Sequence, residues 1–133
     1  MKANDLMIGD KLRRVFNQKI VEVKEIKQSC IYTENNGYEY DEIEPIPITS
    51  EILEKNGFVA NEHVYPYPYY EYINEKGRLN VGFVFPQGNK TSYKEPWVYI
   101  DSEYVFVVHL PCIYVHELQH TLRLCRIEKE IIL

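Results

Sequence analysis

The sequence predicts an α+β fold. A small SH3-like β-barrel over residues 1–48 is followed, over residues 49–133, by a short helix, an antiparallel β-meander and a C-terminal amphipathic helix packed on it. Three observations predict this. Tyrosine is abundant, with twelve residues concentrated in the second half, and aromatic side chains suit pleated, half-buried surfaces. Short alternating segments are separated by turn residues. One run near the C-terminus carries apolar residues at helical spacing. A chain of 133 residues has the length of one domain, and the joint near residue 48 leaves open whether its two parts form one compact unit.

The N-terminal part supplies the barrel strands. "KLRRVF", Lys11–Phe16, precedes the turn letters Asn17-Gln18, and "KIVEVKEI" then alternates. "SCIYTE" runs into Asn35-Asn36-Gly37, residues that tolerate positive φ and signal a hairpin, and "YEYDEI" returns. Four short strands in about forty residues suggest closure, which removes exposed sheet edges. In "EPIPITSEILEKNGF", Pro45 and Pro47 hold the joint extended, Thr49 or Ser50 caps a short helix, and Gly57 ends it at C′. Strands are then expected near Val64–Ile73, Leu79–Phe85, Pro96–Ile100 and Glu103–Leu110. A helix from Ile113 to about Cys125 and a terminal strand, "IEKEIIL", complete the chain.

Charge narrows the function classes. Residues 1–28 carry +3, residues 29–62 carry −7 and the remainder −1, for a net −5. A phosphate-backbone binder needs a sustained cationic face, so direct nucleic-acid binding is disfavoured. The three cysteines, Cys30, Cys112 and Cys125, show no Cys-x-x-Cys spacing and read as small buried hydrophobes. No secretory leader or membrane span is expected, which points to the cytoplasm.

"VHELQH" spells His116-Glu117-x-x-His120, the helical pattern in which two imidazoles bind zinc and the glutamate activates water. Three arguments oppose that zinc-dependent hydrolase. Arg126 stands where a third ligand six residues downstream would be, and Glu128 and Glu130 lie in an edge strand. His63, His109 or an upstream acid could serve, but nothing nominates one. On the helical wheel Val115, Leu118, Leu122 and Cys125 form the apolar stripe, so His116, His120 and Arg123 are expected to face water. The sequence also shows no obvious second lobe to make a cleft. The expectation is no catalytic residue, no metal and no cofactor.

"GFVFPQGNKTS" lacks the spacing of a phosphate loop, since Gly82 and Gly88 are five residues apart and Asn89 precedes Lys90. It reads as a hairpin loop. The acidic run Glu39, Asp41, Glu42 and Glu44 reads as a solvated strand face. In "YPYPYYEY", Tyr65, Tyr67 and Tyr69 share one strand face, while the two prolines keep the segment at an edge. These tyrosines, with the loop Pro86–Glu95, are the candidate binding surface for an unknown protein or small ligand.

Taken together, "MKANDLMIGD", "YDEIEPIPITSEILEKNGF" and "YVHELQHTLRLC" resemble a family of short uncharacterised proteins of gut Bacteroidetes and their prophages and mobile elements. The resemblance covers both ends and the joint. It implies an accessory role without an assigned activity. It also implies that Glu117 and His120 occupy positions where relatives often carry Gln and Asn, a pair unsuited to activating water or binding zinc.

Overall fold

The computed structural model describes residues 1–61, 69–74, 79–86, 95–102 and 106–133. The chain forms two compact units, one of residues 1–47 and 114–121, the other of residues 48–113 and 122–133. Within the described residues the fold is mostly β, and only one helix exceeds two turns. No helix among them is long and apolar enough to cross a membrane.

The first unit contains β1 (Lys11–Arg14), β2 (Ile20–Glu22), β3 (Glu25–Ile26), β4 (Cys30–Tyr32), β5 (Gly37–Glu39) and β6 (Ile43–Glu44). They make two antiparallel three-stranded sheets, ordered β2-β1-β6 and β3-β4-β5. Both sheets are open, so the expected SH3-like barrel is not formed. The reason lies in strand length. Closure needs a continuous staggered ladder, and strands of two to four residues end before one sheet can bond to the other. Single backbone bonds link the remaining stretches, such as Val23 N–H to Asp10 O at 2.9 Å and Lys24 N–H to Tyr32 O at 2.8 Å.

Leu6, Leu12, Val23, Ile31, Tyr38 and Ile43 form this unit's apolar core, with Val21, Ile26 and Tyr40 packed against it. The hairpin forms at the Asn35-Asn36-Gly37 signal, where Thr33 N–H donates to Asn36 O at 2.7 Å. Gly37 serves a different purpose from the expected positive φ. A Cβ there would lie 2.9 Å from the ring of Tyr32. The acidic run is partly committed rather than simply solvated. Glu42 accepts the Glu39 amide at 2.9 Å, and Glu44 accepts from Arg13 at 2.6 Å.

The second unit opens on α1 (Ser50–Lys55), capped as expected by Thr49, whose hydroxyl accepts the Ile52 amide at 3.3 Å. Gly57 follows at φ +84°. A five-stranded antiparallel meander then runs through β7 (Val59–Asn61), β8 (Tyr69–Asn74), β9 (Leu79–Val84), β10 (Trp97–Ser102) and β11 (Phe106–Pro111), in order β11-β10-β9-β8-β7. Four of these match the predicted strands in outline, and β7 is additional. Gly82 pairs with Tyr99, and any Cβ at residue 82 would collide with the Tyr99 ring.

The helix α2 (Val115–Leu124) is shorter than expected at both ends. Its C-terminus is a Schellman motif. Arg126 N–H donates to Arg123 O at 3.0 Å and Ile127 N–H to Leu122 O at 2.9 Å. Arg126 stands at C′ with φ +58°, where glycine is the usual residue. The expected terminal strand is absent. Residue 132 finds side-chain partners instead: Asn56 Oδ1 accepts the Ile132 amide at 2.6 Å and Asn56 Nδ2 donates to Ile132 O at 2.8 Å. One buried amide thus satisfies backbone groups that a strand ladder would otherwise pair.

Candidate functional site

The residues of the zinc-like motif meet an acid 110 positions upstream, inside the first unit. Met7-Ile8-Gly9-Asp10 is a tight turn in which Asp10 N–H donates to Met7 O at 3.1 Å. Gly9 adopts φ +91°, the conformation that the third residue of a type II turn requires. Asp10 Oδ2 accepts the Met7 amide at 2.7 Å, and Gly9 N–H donates to Val23 O at 2.7 Å. The turn is thereby fixed on both sides, and the Asp10 carboxylate is fully buried.

The helix meets this carboxylate through His120. Its Nε2 lies 2.8 Å from both Asp10 oxygens. A buried carboxylate without such donors would be costly. One helical turn earlier, His116 is only 5% exposed, and its ring meets that of His120 edge-on at 5.5 Å between centroids. Tyr114 stacks on His116 at 5.9 Å between ring centroids. Nδ1 of His116 is buried and finds no hydrogen-bond partner among the described residues. Burial pushes the His116 pKa below its ordinary value. Asp10, Glu117 and Asp5 oppose that shift, and His120 adds to it.

This geometry corrects the expected orientation. Val115, Leu118 and Leu122 are buried as the stripe requires, but His116, Gln119 and Thr121 are buried as well. The wheel located the apolar side at Val115, Leu118 and Leu122, with Cys125 only half-buried, and misplaced the other one. Hydropathy treats histidine as a group for water, whereas a buried partner 110 residues away can draw it inward.

Glu117 has a local duty. Its Oε1 accepts the Tyr114 amide at 2.9 Å, with Tyr114 at the N-cap and Glu117 at N3, which is half of a capping box. The motif's letters therefore serve three structural ends: capping, clamping and packing. No group of three or more His, Cys, Asp or Glu side chains among the described residues is arranged to hold a metal ion.

The tyrosine surface is divided. Tyr65 and Tyr67, His63 and most of the Pro86–Glu95 loop lie outside the described residues. Tyr69 is 4% exposed, within an aromatic cluster of the second unit that also contains Val84, Tyr99 and Trp97. Its ring lies 6.2 Å from that of Tyr99.

Asp10 is the residue that sequence reasoning missed. Its signal was present in "MIGD", a glycine placed for a type II turn that aims the following acid. An acid ahead of "KLRR" could be read as surface charge, so the turn chemistry was the only clue. Tested against known proteins, the chain matches no family model, no curated protein and no solved structure.

Proposed function

We propose that this chain is a non-catalytic interaction module, a cytoplasmic accessory protein of the phage and mobile-element type that its sequence resembles. One observation carries the reading. Two of the three groups that a zinc hydrolase would need are already engaged, with His120 Nε2 held 2.8 Å from both Asp10 oxygens and Glu117 on the Tyr114 amide. A water-activating glutamate has to reach a metal-bound water, and a glutamate that caps its own helix is turned away from that task.

The competing reading, a metal-dependent hydrolase, draws on a buried and a half-buried imidazole beside a buried carboxylate. Elemental analysis of protein purified without a histidine tag separates the two. The expected result is no stoichiometric metal, with Glu117→Gln unchanged in behaviour. About one zinc per chain, lost on His120→Ala, overturns the proposal.

A further inference from the structure

We infer that the tip of the β1–β2 hairpin, Val15 and Phe16, is a protein-docking knob that fits an apolar pocket rimmed by carboxylates. The inference rests on the reading of the chain as an interaction module and names its contact surface. Phe16 is 90% exposed, and Val15 and Ile20 beside it are exposed too. Isolated apolar side chains on a surface are ordinary. This group differs in how it is held.

The loop carrying it is stitched from both ends. Arg14 N–H donates to Lys19 O at 2.8 Å, Gln18 N–H to Arg14 O at 2.8 Å and Val15 N–H to Glu42 O at 3.1 Å. Asn17 Oδ1 accepts the Lys19 amide at 3.1 Å. Gln18 takes φ +59°, a conformation disfavoured for a residue with a side chain. Its amide group donates to Val15 O at 3.1 Å and to Glu44 Oε1 at 3.2 Å. The loop is thus held by its own backbone and side-chain hydrogen bonds, with none from the Phe16 ring. A pre-formed loop that presents an aromatic group loses little conformational freedom when a partner closes over it.

Charge selects the partner. No acidic residue occurs between Lys11 and Val21, a stretch holding Lys11, Arg13, Arg14 and Lys19. Arg13 is neutralised by Glu44. The Arg14 guanidinium lies 5.2 Å over the Tyr38 ring and Lys19 is exposed, which leaves two cationic side chains at the foot of the knob. A protein pocket with carboxylates at its rim complements that arrangement. Nucleic acid does not, because Arg14 and Lys19 make a point contact rather than the sustained cationic face that a phosphate backbone needs.

The test replaces Phe16 in the full chain with a photo-crosslinking phenylalanine analogue and irradiates it in lysate of the organism that encodes it. The captured protein is then purified and titrated. Expected is at least tenfold weaker binding by Phe16→Ser and several-fold weaker binding by Lys19→Glu. Leu124→Ser, an exposed apolar control, should bind as wild type, and added salt should weaken binding. A protein that binds wild type and Phe16→Ser equally overturns the hairpin assignment and leaves the interaction-module reading standing. Capture of no protein at position 16 or at control positions removes both. Phe16-dependent binding of a mixed-sequence single-stranded DNA 20-mer overturns the protein assignment. So does a wild-type dimer that Phe16→Ser converts to monomer in sedimentation.

Discussion

The two units solve the same problem with different materials. The second builds a five-stranded meander whose central strands run six residues each, and the buried side chains described there are apolar or aromatic. The first has strands of two to four residues around its apolar core and buries a carboxylate and an imidazole as well. The difference teaches that where ladders are short, a directional polar contact fixes the packing that a longer sheet achieves through register. The Asp10–His120 contact ties a turn near the N-terminus to a helix segment 110 residues later. Apolar contact alone would specify that pairing less sharply.

The comparison is most directly broken at Asp10. Asp10→Ala leaves His120 and the Met7 amide without their acceptor and should cost about 3 kcal/mol in urea denaturation. Amide hydrogen exchange read region by region sharpens the result. Protection should fall in residues 1–47 and 114–121 more than in the meander, and equal loss in both would show one cooperative unit.

Gly82→Ala tests the other side. Its Cβ must displace the Tyr99 ring, and overpacking of this kind costs about 2 kcal/mol. The loss should appear first in the exchange of β9 and β10.

Acid should weaken the first unit in particular. Because the folded protein holds the His116 pKa below its ordinary value of 6.5, the unfolded chain takes up a proton that the folded chain refuses. Stability from this group is complete above the unfolded value and is lost as pH falls from there toward the lowered one. Thermal melts across that range should show the slope, and His116→Gln should flatten it. An unchanged slope in the variant would assign the acid sensitivity elsewhere.

Arg126→Gly should raise stability by about 0.5–1 kcal/mol, since glycine adopts the left-handed C′ conformation without a Cβ clash and returns part of that gain as chain entropy. Smallest of all, Glu117→Gln should shift the melt by only a few tenths of a kcal/mol, because glutamine can also accept the Tyr114 amide.

Much of the second unit was legible along the chain. Alternating residues located β8 to β11 in outline, and the Thr49 cap and Gly57 at φ +84° followed the local letters. In the first unit the hairpin at Asn35–Gly37 was legible too, but the sheet closure expected around it was not. Whether two short sheets join depends on bonds between residues far apart, such as Val23 to Asp10, and no local pattern encodes them. The candidate site divided in the same way. The helix and its apolar stripe were readable, and the buried acid was not.

By itself the sequence determined the local elements: which residues alternate, which cap a helix, which turn requires glycine. These follow from backbone sterics and side-chain period, which act over a few residues. Only the tertiary structure decided that His116 and His120 turn inward, that two open sheets form in place of a barrel and that residue 132 is held by Asn56. Each of those outcomes depends on a partner distant in the chain, and the free energy of burying a polar group is set by whether that partner arrives.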